Sequence, residues 1–351
     1  MTNTPTRCDI FCTVVDNFGD AGVSWRLARQ LAGEFGWRVR LWIDDLAPLL
    51  RMAPNHADGP VEVRLWPKTW PTPWLAIDTA EVVIEAFACE PPPIYIEAMA
   101  IRARPPVWLN LEYLSAENWV AGCHGLSSPH PRLPLLKHFF FPGFAPNTGG
   151  LLRERDYGAR RQAFDESAFR AEFGLPKKAP DELTISLFSY PNPALPELMQ
   201  AWAASPQPIR LLLPGSSEAA HKTGNLTVHP LPFLPQPRYD ELLWACDLNF
   251  VRGEDSFVRA QWAGKPFVWH IYPQTDEAHQ AKLDAFLSIH PAGPRLKAFW
   301  QAWNGAGTPD WPGFTASLPG LKAPLREWAN TLAARPDLAS KLVQFCLDRL
   351  K

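Results

Sequence analysis

A chain of 351 residues, 46% hydrophobic and 20% charged, has the make-up of a folded globular protein and exceeds the length one core usually supports. A formal net charge of −2 excludes a broad electrostatic attraction to nucleic acid or to an anionic membrane. None of the six cysteines forms a Cys-x-x-Cys pair, and their spacing fits neither a disulfide framework nor a zinc site.

The polar start, Met1 to Arg7, is followed by an apolar run too short for a secretion signal. No stretch is apolar for long enough to span a bilayer, so a cytoplasmic protein is expected. The first strand candidate, Cys8 to Val15, leads through Asp16-Asn17-Phe18-Gly19-Asp20-Ala21-Gly22 into a helical pattern. There Val23, Leu27, Leu31 and Phe35 recur on one face. A second strand, Arg38 to Ile43, follows directly, and strand–helix–strand order predicts a parallel sheet. Further strands are predicted at Val61–Leu65, Val82–Glu85 and Pro106–Asn110. Prolines spread through connections such as Trp66 to Trp74 predict stiff, ordered loops, and most tryptophans are expected to pack in the core or in loops. Ser115 to Gly150 reads as long irregular loops, and Arg153 to Phe173 as helical.

The polar stretch Lys177 to Asp181 places a domain boundary, giving domains at 1–176 and 177–330 and a C-terminal helix over 331–351 that can pack back on the first domain. A second alternation of strands and helices then begins. Strands are predicted at Leu183–Phe188, Ile209–Leu213, Leu226–His229, Leu248–Val251 and Phe267–Ile271. Helices are predicted at Glu197–Ala204, Tyr239–Cys246 and Phe257–Ala263, with more helix up to Leu350. The class is α/β: two Rossmann-like domains, expected to face each other across a cleft.

Ligands of open α/β sheets collect at the carboxyl ends of the strands. At the first such end, Asp16 and Asp20 either cap a helix or face a substrate, with Asn17, Phe18 and Gly19 as the supporting loop; Gly19 and Gly22 allow sharp turns and close approach. The segment is not Gly-x-Gly-x-x-Gly, which argues against a dinucleotide oxidoreductase. In the second half, Arg252-Gly253-Glu254-Asp255-Ser256 joins a strand to a helix that Gly264-Lys265-Pro266 terminates, with Ser256 as the candidate N-cap. Glu254, Asp255 and Ser256 either cap that helix or form part of a diphosphate site at its N-terminus, with Arg252 as a bidentate partner. Phe188 and Tyr190, Phe233 and Gln236, and Tyr272 with Gln274 sit after other strands, where rings can stack on a base.

The strand–Gly–Ser–helix–Gly-x-Pro segment resembles the nucleotide-sugar segment of GT-B glycosyltransferases. Those enzymes usually keep a ribose-binding glutamate three residues after the serine; here that position is Arg259, which leaves Asp255 as the candidate substitute. The segments from Asp16 (DNFGDAGVSWRLARQL) and from Arg252 (RGEDSFVRAQWAGKP), in this order, resemble the elongation factor P arginine rhamnosyltransferase (EarP) family over nearly the whole chain.

That resemblance implies a GT-B fold, dTDP-β-L-rhamnose as donor, and inverting transfer to one arginine of translation elongation factor P (EF-P), which relieves polyproline stalling. It implies Asp16 and Asp20 as catalytic carboxylates with Glu254 nearby. It implies Phe188, Tyr190, Phe233, Gln236, Arg252, Asp255, Ser256 and Tyr272 around the thymidine diphosphate. Donor contacts then lie mainly in the second domain and acceptor contacts in the first. No cofactor or metal is expected, since a helix end, Arg252 and Tyr190 suffice for the leaving diphosphate; no nucleic acid or membrane partner is expected either. Two other readings remain: a GT-B enzyme with another acceptor, such as a lipopolysaccharide sugar or small metabolite, and a non-catalytic nucleotide-sugar-binding protein.

Overall fold

The computed structural model describes residues 5–70, 74–274, 278–291 and 293–350. Pro71, Thr72 and Pro73 of the proline-rich stretch therefore lie outside the described residues. The chain divides into two compact units, one formed by Met1–Arg155 with Arg335–Lys351 and the other by Asp156–Ala334.

In the first unit the strands are β1 (Arg7–Cys12), β2 (Arg38–Ile43), β3 (Val61–Leu65), β4 (Val82–Ala86), β5 (Val107–Leu111), β6 (Ser127–Pro129) and β7 (Leu136–Phe140). The helices between them are α1 (Asn17–Phe35), α2 (Ala47–Met52), α3 (Pro93–Ala100) and α4 (Val120–Cys123). They form a sheet of order β3-β2-β1-β4-β5-β7-β6, parallel except where β6 runs against β7. β4 and β5 are buried along their whole length, as central strands covered on both faces must be.

β6 and β7 fall in the stretch expected to be irregular. Lys137 and His138 interrupt the apolar pattern of β7, but Lys137 Nζ donates to the buried Glu85 carboxylate at 2.7 Å and lies over the Trp108 ring at 4.6 Å. A charge satisfied across neighbouring strands leaves no trace in a one-strand pattern.

The second unit holds β8 (Leu183–Leu187), β9 (Ile209–Pro214), β10 (His221–Thr223), β11 (Leu226–Leu231), β12 (Leu248–Arg252) and β13 (Phe267–His270). Its helices are α5 (Tyr157–Gln162), α6 (Glu166–Glu172), α7 (Leu195–Ala203), α8 (Gln236–Ala245), α9 (Asp255–Ala263), α10 (Ala278–Ile289), α11 (Pro294–Trp303) and α12 (Trp311–Ala333). The sheet order is β10-β11-β9-β8-β12-β13, with only β10 antiparallel to its neighbour. Its core is aromatic: Trp202 packs edge-on to Phe250 and Trp311, and Phe257 stacks on Trp269 with ring centroids 3.9 Å apart.

Both sheets share one central order, β3-β2-β1-β4-β5 and β11-β9-β8-β12-β13, the Rossmann arrangement. The strand order reverses between β1 and β4 in one unit and between β8 and β12 in the other. Outside those points, at the carboxyl ends, such sheets take ligands.

The division falls after Arg155 rather than after Pro176, because α5 and α6 pack with the second unit. The Trp244 indole N–H donates to the Tyr157 hydroxyl at 2.7 Å, and Arg170 pairs with Glu182 at 3.0 Å. The chain rejoins the first unit at Arg335, and α13 (Leu338–Leu350) packs on α1 and β5. The Gln30 amide donates to Asp337 at 3.0 Å and the Leu338 N–H to the Leu151 carbonyl at 3.0 Å. Among the described residues, no helix is long and apolar enough to cross a membrane.

Candidate active site

In the first unit four residues, Thr13 to Asp16, join the carboxyl end of β1 to α1. The helix starts at Asn17, not after Gly22, so Asn17, Phe18 and Gly19 form its first turn rather than a loop. Neither Gly19 nor Gly22 takes a positive φ. A Cβ at Gly19 would instead lie 2.3 Å from Oδ2 of Asp16, so a side chain there would push the Asp16 carboxylate from its present place. Asp16 is the N-cap residue, yet its side chain caps no helix N–H. The cap comes from one turn on, where Asp20 Oδ2 accepts the N–H groups of Val15 at 2.9 Å and Asp16 at 2.8 Å.

Asp20 thus has a capping role, but its environment goes further. It is 2% exposed. Burial pushes its carboxyl up to about 6, against the backbone hydrogen bonds and a hydrogen bond from Tyr113 that hold it down; the nearby Asp16 charge pushes the same way as burial. A carboxylate poised near neutrality at the end of a central strand suits proton transfer.

The neighbouring strand ends complete this cluster. After β4, Phe87, Ala88 and Glu90 take φ of 60°, 57° and 42°, a left-handed run with no glycine in it. It is held by the Phe87 N–H on the Leu111 carbonyl at 2.7 Å and the Ala88 N–H on Asn110 Oδ1 at 3.1 Å. The Phe87 ring stacks on Tyr113 with centroids 4.3 Å apart. A flat aromatic pair therefore adjoins Asp20 through the Tyr113 hydroxyl. Neither residue stood out in the sequence; only the reversal of strand order between β1 and β4 could have signalled them.

The second unit carries its own cluster. Arg252 ends β12, and its guanidinium lies 4.5 Å from the Phe188 ring centre and 4.6 Å from that of Tyr190, both just past β8. Tyr272 packs edge-on to Tyr190 at 5.5 Å and is 38% exposed, so this rim is open to solvent. Gly253, at φ 61°, turns the chain into α9, whose N-cap is Glu254 rather than Ser256. Ser256 is buried, with its hydroxyl donating to the Arg252 carbonyl and accepting the Arg252 N–H at 3.0 Å. It ties the arginine to the helix start.

Gln236 is the first residue of α8, and its amide donates to Asp255 Oδ2 at 3.2 Å. Phe233 is half-buried in the connection before it. The structure brings Phe188, Tyr190, Arg252 and Tyr272 together through ring contacts, and Gln236 with Asp255 through a hydrogen bond. The backbone N–H of Gln274 donates to His279 Nδ1 at 3.1 Å. His270, at the end of β13 and in register with Arg252, was not anticipated. Its ring lies 5.2 Å from Tyr190, and its buried Nδ1 has no hydrogen-bond partner among the described residues. Burial, then the Arg252 charge, lowers it to about 4, so it is neutral beside a cation.

Arg259, at the position of the glutamate in related segments, turns inward to Asp240 and is fully buried. Asp255, in the first turn of α9 beside the N-cap Glu254, therefore remains the candidate substitute for that glutamate.

Residues 8–347 match the family described as Elongation-Factor P (EF-P) rhamnosyltransferase EarP. The chain is 47% identical over 379 aligned positions to a protein-arginine rhamnosyltransferase of Pseudomonas aeruginosa, covering 97% of this chain and 99% of that one. A protein of the same name from Pseudomonas putida is 48% identical over 377, with the same coverage. A solved structure described as the structural basis for EarP-mediated arginine glycosylation of EF-P superposes with a TM-score of 0.67 at 35% identity, covering 98% of this chain and 99% of that one. The calicheamicin glycosyltransferase CalG4, at 14% identity, TM-score 0.55 and 99% coverage of both chains, shares the fold alone. The chain has the GT-B fold and belongs to the EarP family of elongation factor P rhamnosyltransferases.

Proposed function

We propose that this protein transfers rhamnose from dTDP-β-L-rhamnose to the side chain of one arginine of EF-P, with inversion, in the cytoplasm and without a metal or cofactor. The first unit holds the acceptor and the base, and the second holds the donor. Family membership supports the reaction class, and the names of the relatives supply the protein-arginine acceptor. The observation that carries the reading in this chain is Asp20: buried, shifted to about 6, and next to a ring pair.

A guanidinium is protonated far above neutral pH, and its lone pairs are delocalised, so it needs a partner to become a nucleophile. Asp20 accepts the proton from the attacking nitrogen as the N–C1 bond forms. Asp16 holds the guanidinium, with Glu254 as the carboxylate on the sugar side. The flat Phe87–Tyr113 pair offers a face on which a planar cation can lie. The C1–O bond to the diphosphate breaks on the opposite face of the sugar, and its electron pair leaves with thymidine diphosphate. Arg252 and the N-terminus of α9 stabilise that charge, and no metal is required for it. Phe188, Tyr190, Phe233 and Tyr272 supply the rings for the base and sugar. Gln236, Asp255 and Ser256 hold the polar edge.

The test is the intact mass of purified EF-P after incubation with the protein and dTDP-β-L-rhamnose. A gain of one deoxyhexose is expected. Loss of that gain in Asp20→Asn, with thymidine diphosphate affinity kept, assigns the proton step to Asp20. An unmodified EF-P, alongside transfer to a lipopolysaccharide sugar or a small metabolite, would overturn the acceptor. Binding of donor without transfer to anything would favour a non-catalytic binding protein.

A further inference from the structure

Arg259 and Asp240 form a buried ion pair in the second unit, each 0% exposed. Arg259 Nε donates to Oδ1 of Asp240 and Nη2 to Oδ2, both at 2.7 Å, a fork that fixes distance and rotation together. Arg160 of α5 adds longer contacts to Oδ2 at 3.4 and 3.5 Å, and the Tyr157 ring lies 4.5 Å from the Arg259 guanidinium.

Buried ion pairs contribute little net stability compared with apolar side chains of similar volume, and fixing one arrangement is their best-attested use. Here the arrangement matters because of spacing. Asp240 lies four residues after Gln236 on α8, and Arg259 lies four residues after Asp255 on α9. Residues four apart share one helix face. The ion pair thus sits one turn below the Gln236–Asp255 hydrogen bond, on the facing sides of the same two helices. The two contacts form a ladder of two buried rungs: the upper is weak, an amide on a carboxylate at 3.2 Å, and the lower is charged and forked.

We infer that Asp240 and Arg259 are positioning residues, which set the register of α8 against α9 so that Gln236 and Asp255 present their polar groups together to a nucleoside diphosphate. This rests on the donor site proposed above. It also gives position 259 a role other than ribose binding: the arginine acts through Asp240 on the helix that carries Asp255.

The pair is tested by Asp240→Leu with Arg259→Met, which keeps volume and removes both charges, and by the same change in a Gln236→Ala background. Folding is checked by thermal unfolding and near-UV circular dichroism. Thymidine diphosphate affinity is expected to fall about tenfold in the double variant, and to fall little further when Gln236 is already gone. A merely structural pair would leave affinity unchanged whatever the melting temperature does, or would give losses that multiply independently of Gln236; either result overturns the inference. Hydrogen exchange of the ligand-free protein gives a readout that needs no nucleotide. The first turns of α8 and α9 are expected to exchange faster in the variant, and unchanged exchange there overturns the register role. Failure of the wild-type protein to bind thymidine diphosphate overturns the donor site itself, leaving the exchange result to decide the register.

Discussion

Asp20 has two roles that pull its proton affinity in opposite directions. As the group that caps Val15 and Asp16 it is stabilised as the anion, but burial penalises that anion more strongly, and the balance lies at about 6. A base must be unprotonated, so transfer should rise with pH on an acid limb near 6. The same shift has a stability consequence with a definite sign. The folded pKa lies above the unfolded 3.8, so the contribution to stability is full below 3.8 and is lost as pH rises through about 6. At pH 7.5 the ionised carboxylate therefore costs the fold about 3 kcal/mol. In Asp20→Asn the amide oxygen still accepts both backbone N–H groups and no charge is buried. The variant is expected to be inactive in transfer and to melt higher than wild type at pH 7.5, with the gap closing toward pH 4. Equal melting temperatures at pH 7.5 would show that Asp20 carries no such shift.

Residues of this kind were legible in the sequence when their own segment announced them. Asp16, Asp20 and Arg252 stand at strand–helix junctions, where charge and glycine mark a turn. Tyr113, Phe87 and His270 were not legible, because each ends or follows a strand that becomes a neighbour only through the sheet order. The left-handed run at Phe87, Ala88 and Glu90 was also invisible, since no glycine marks it.

Among the elements, strands such as the largely buried β2 and the exposed edge strand β3 match their predicted ends, because β-branched residues alternating with polar ones between turn residues are a clear signal. Helix starts were read late. α1 begins at Asn17 because Asp20 caps it from inside the first turn, and α8 begins at Gln236 because Pro237 is tolerated there. Helix ends were clearer. Gly264 closes α9 at φ 59°, with its N–H on the Gln261 carbonyl at 3.2 Å. A Cβ at this position would sit 3.4 Å from Ala329, so space is tolerable and the backbone angle is the obstacle. Gly264→Ala should therefore cost about 1 kcal/mol in thermal or urea unfolding, with thymidine diphosphate affinity kept, since Asp255 and Ser256 lie at the other end of the helix. An unchanged melting temperature would mean that the turn relaxes to another angle.

At the scale of the molecule, two α/β alternations made two units readable, while the point of division was not. Lys177 to Asp181 looked like a linker because it is polar, whereas α5 and α6 before it are bound to the second unit by Tyr157 and Arg170. The return of the chain at Arg335 has the larger consequence. α13 buries Leu338, Ala339, Leu342, Val343 and Cys346, and it packs on α1, the helix that carries Asp20, and on β5. Burial of a leucine or valine contributes about 1.5–3 kcal/mol, so removing this helix strips the first unit of an amount comparable to a domain's whole stability. The second unit, Asp156–Ala334, loses none of its own residues. A chain ending at Ala334 should thus show rapid hydrogen exchange in α1 and β5 and no transfer to EF-P, yet keep a protected β8–β13 sheet that binds thymidine diphosphate. Protection of α1 in the truncated chain would show that the first unit holds together without its C-terminal helix. Loss of protection in both sheets together would show that the second unit depends on the first.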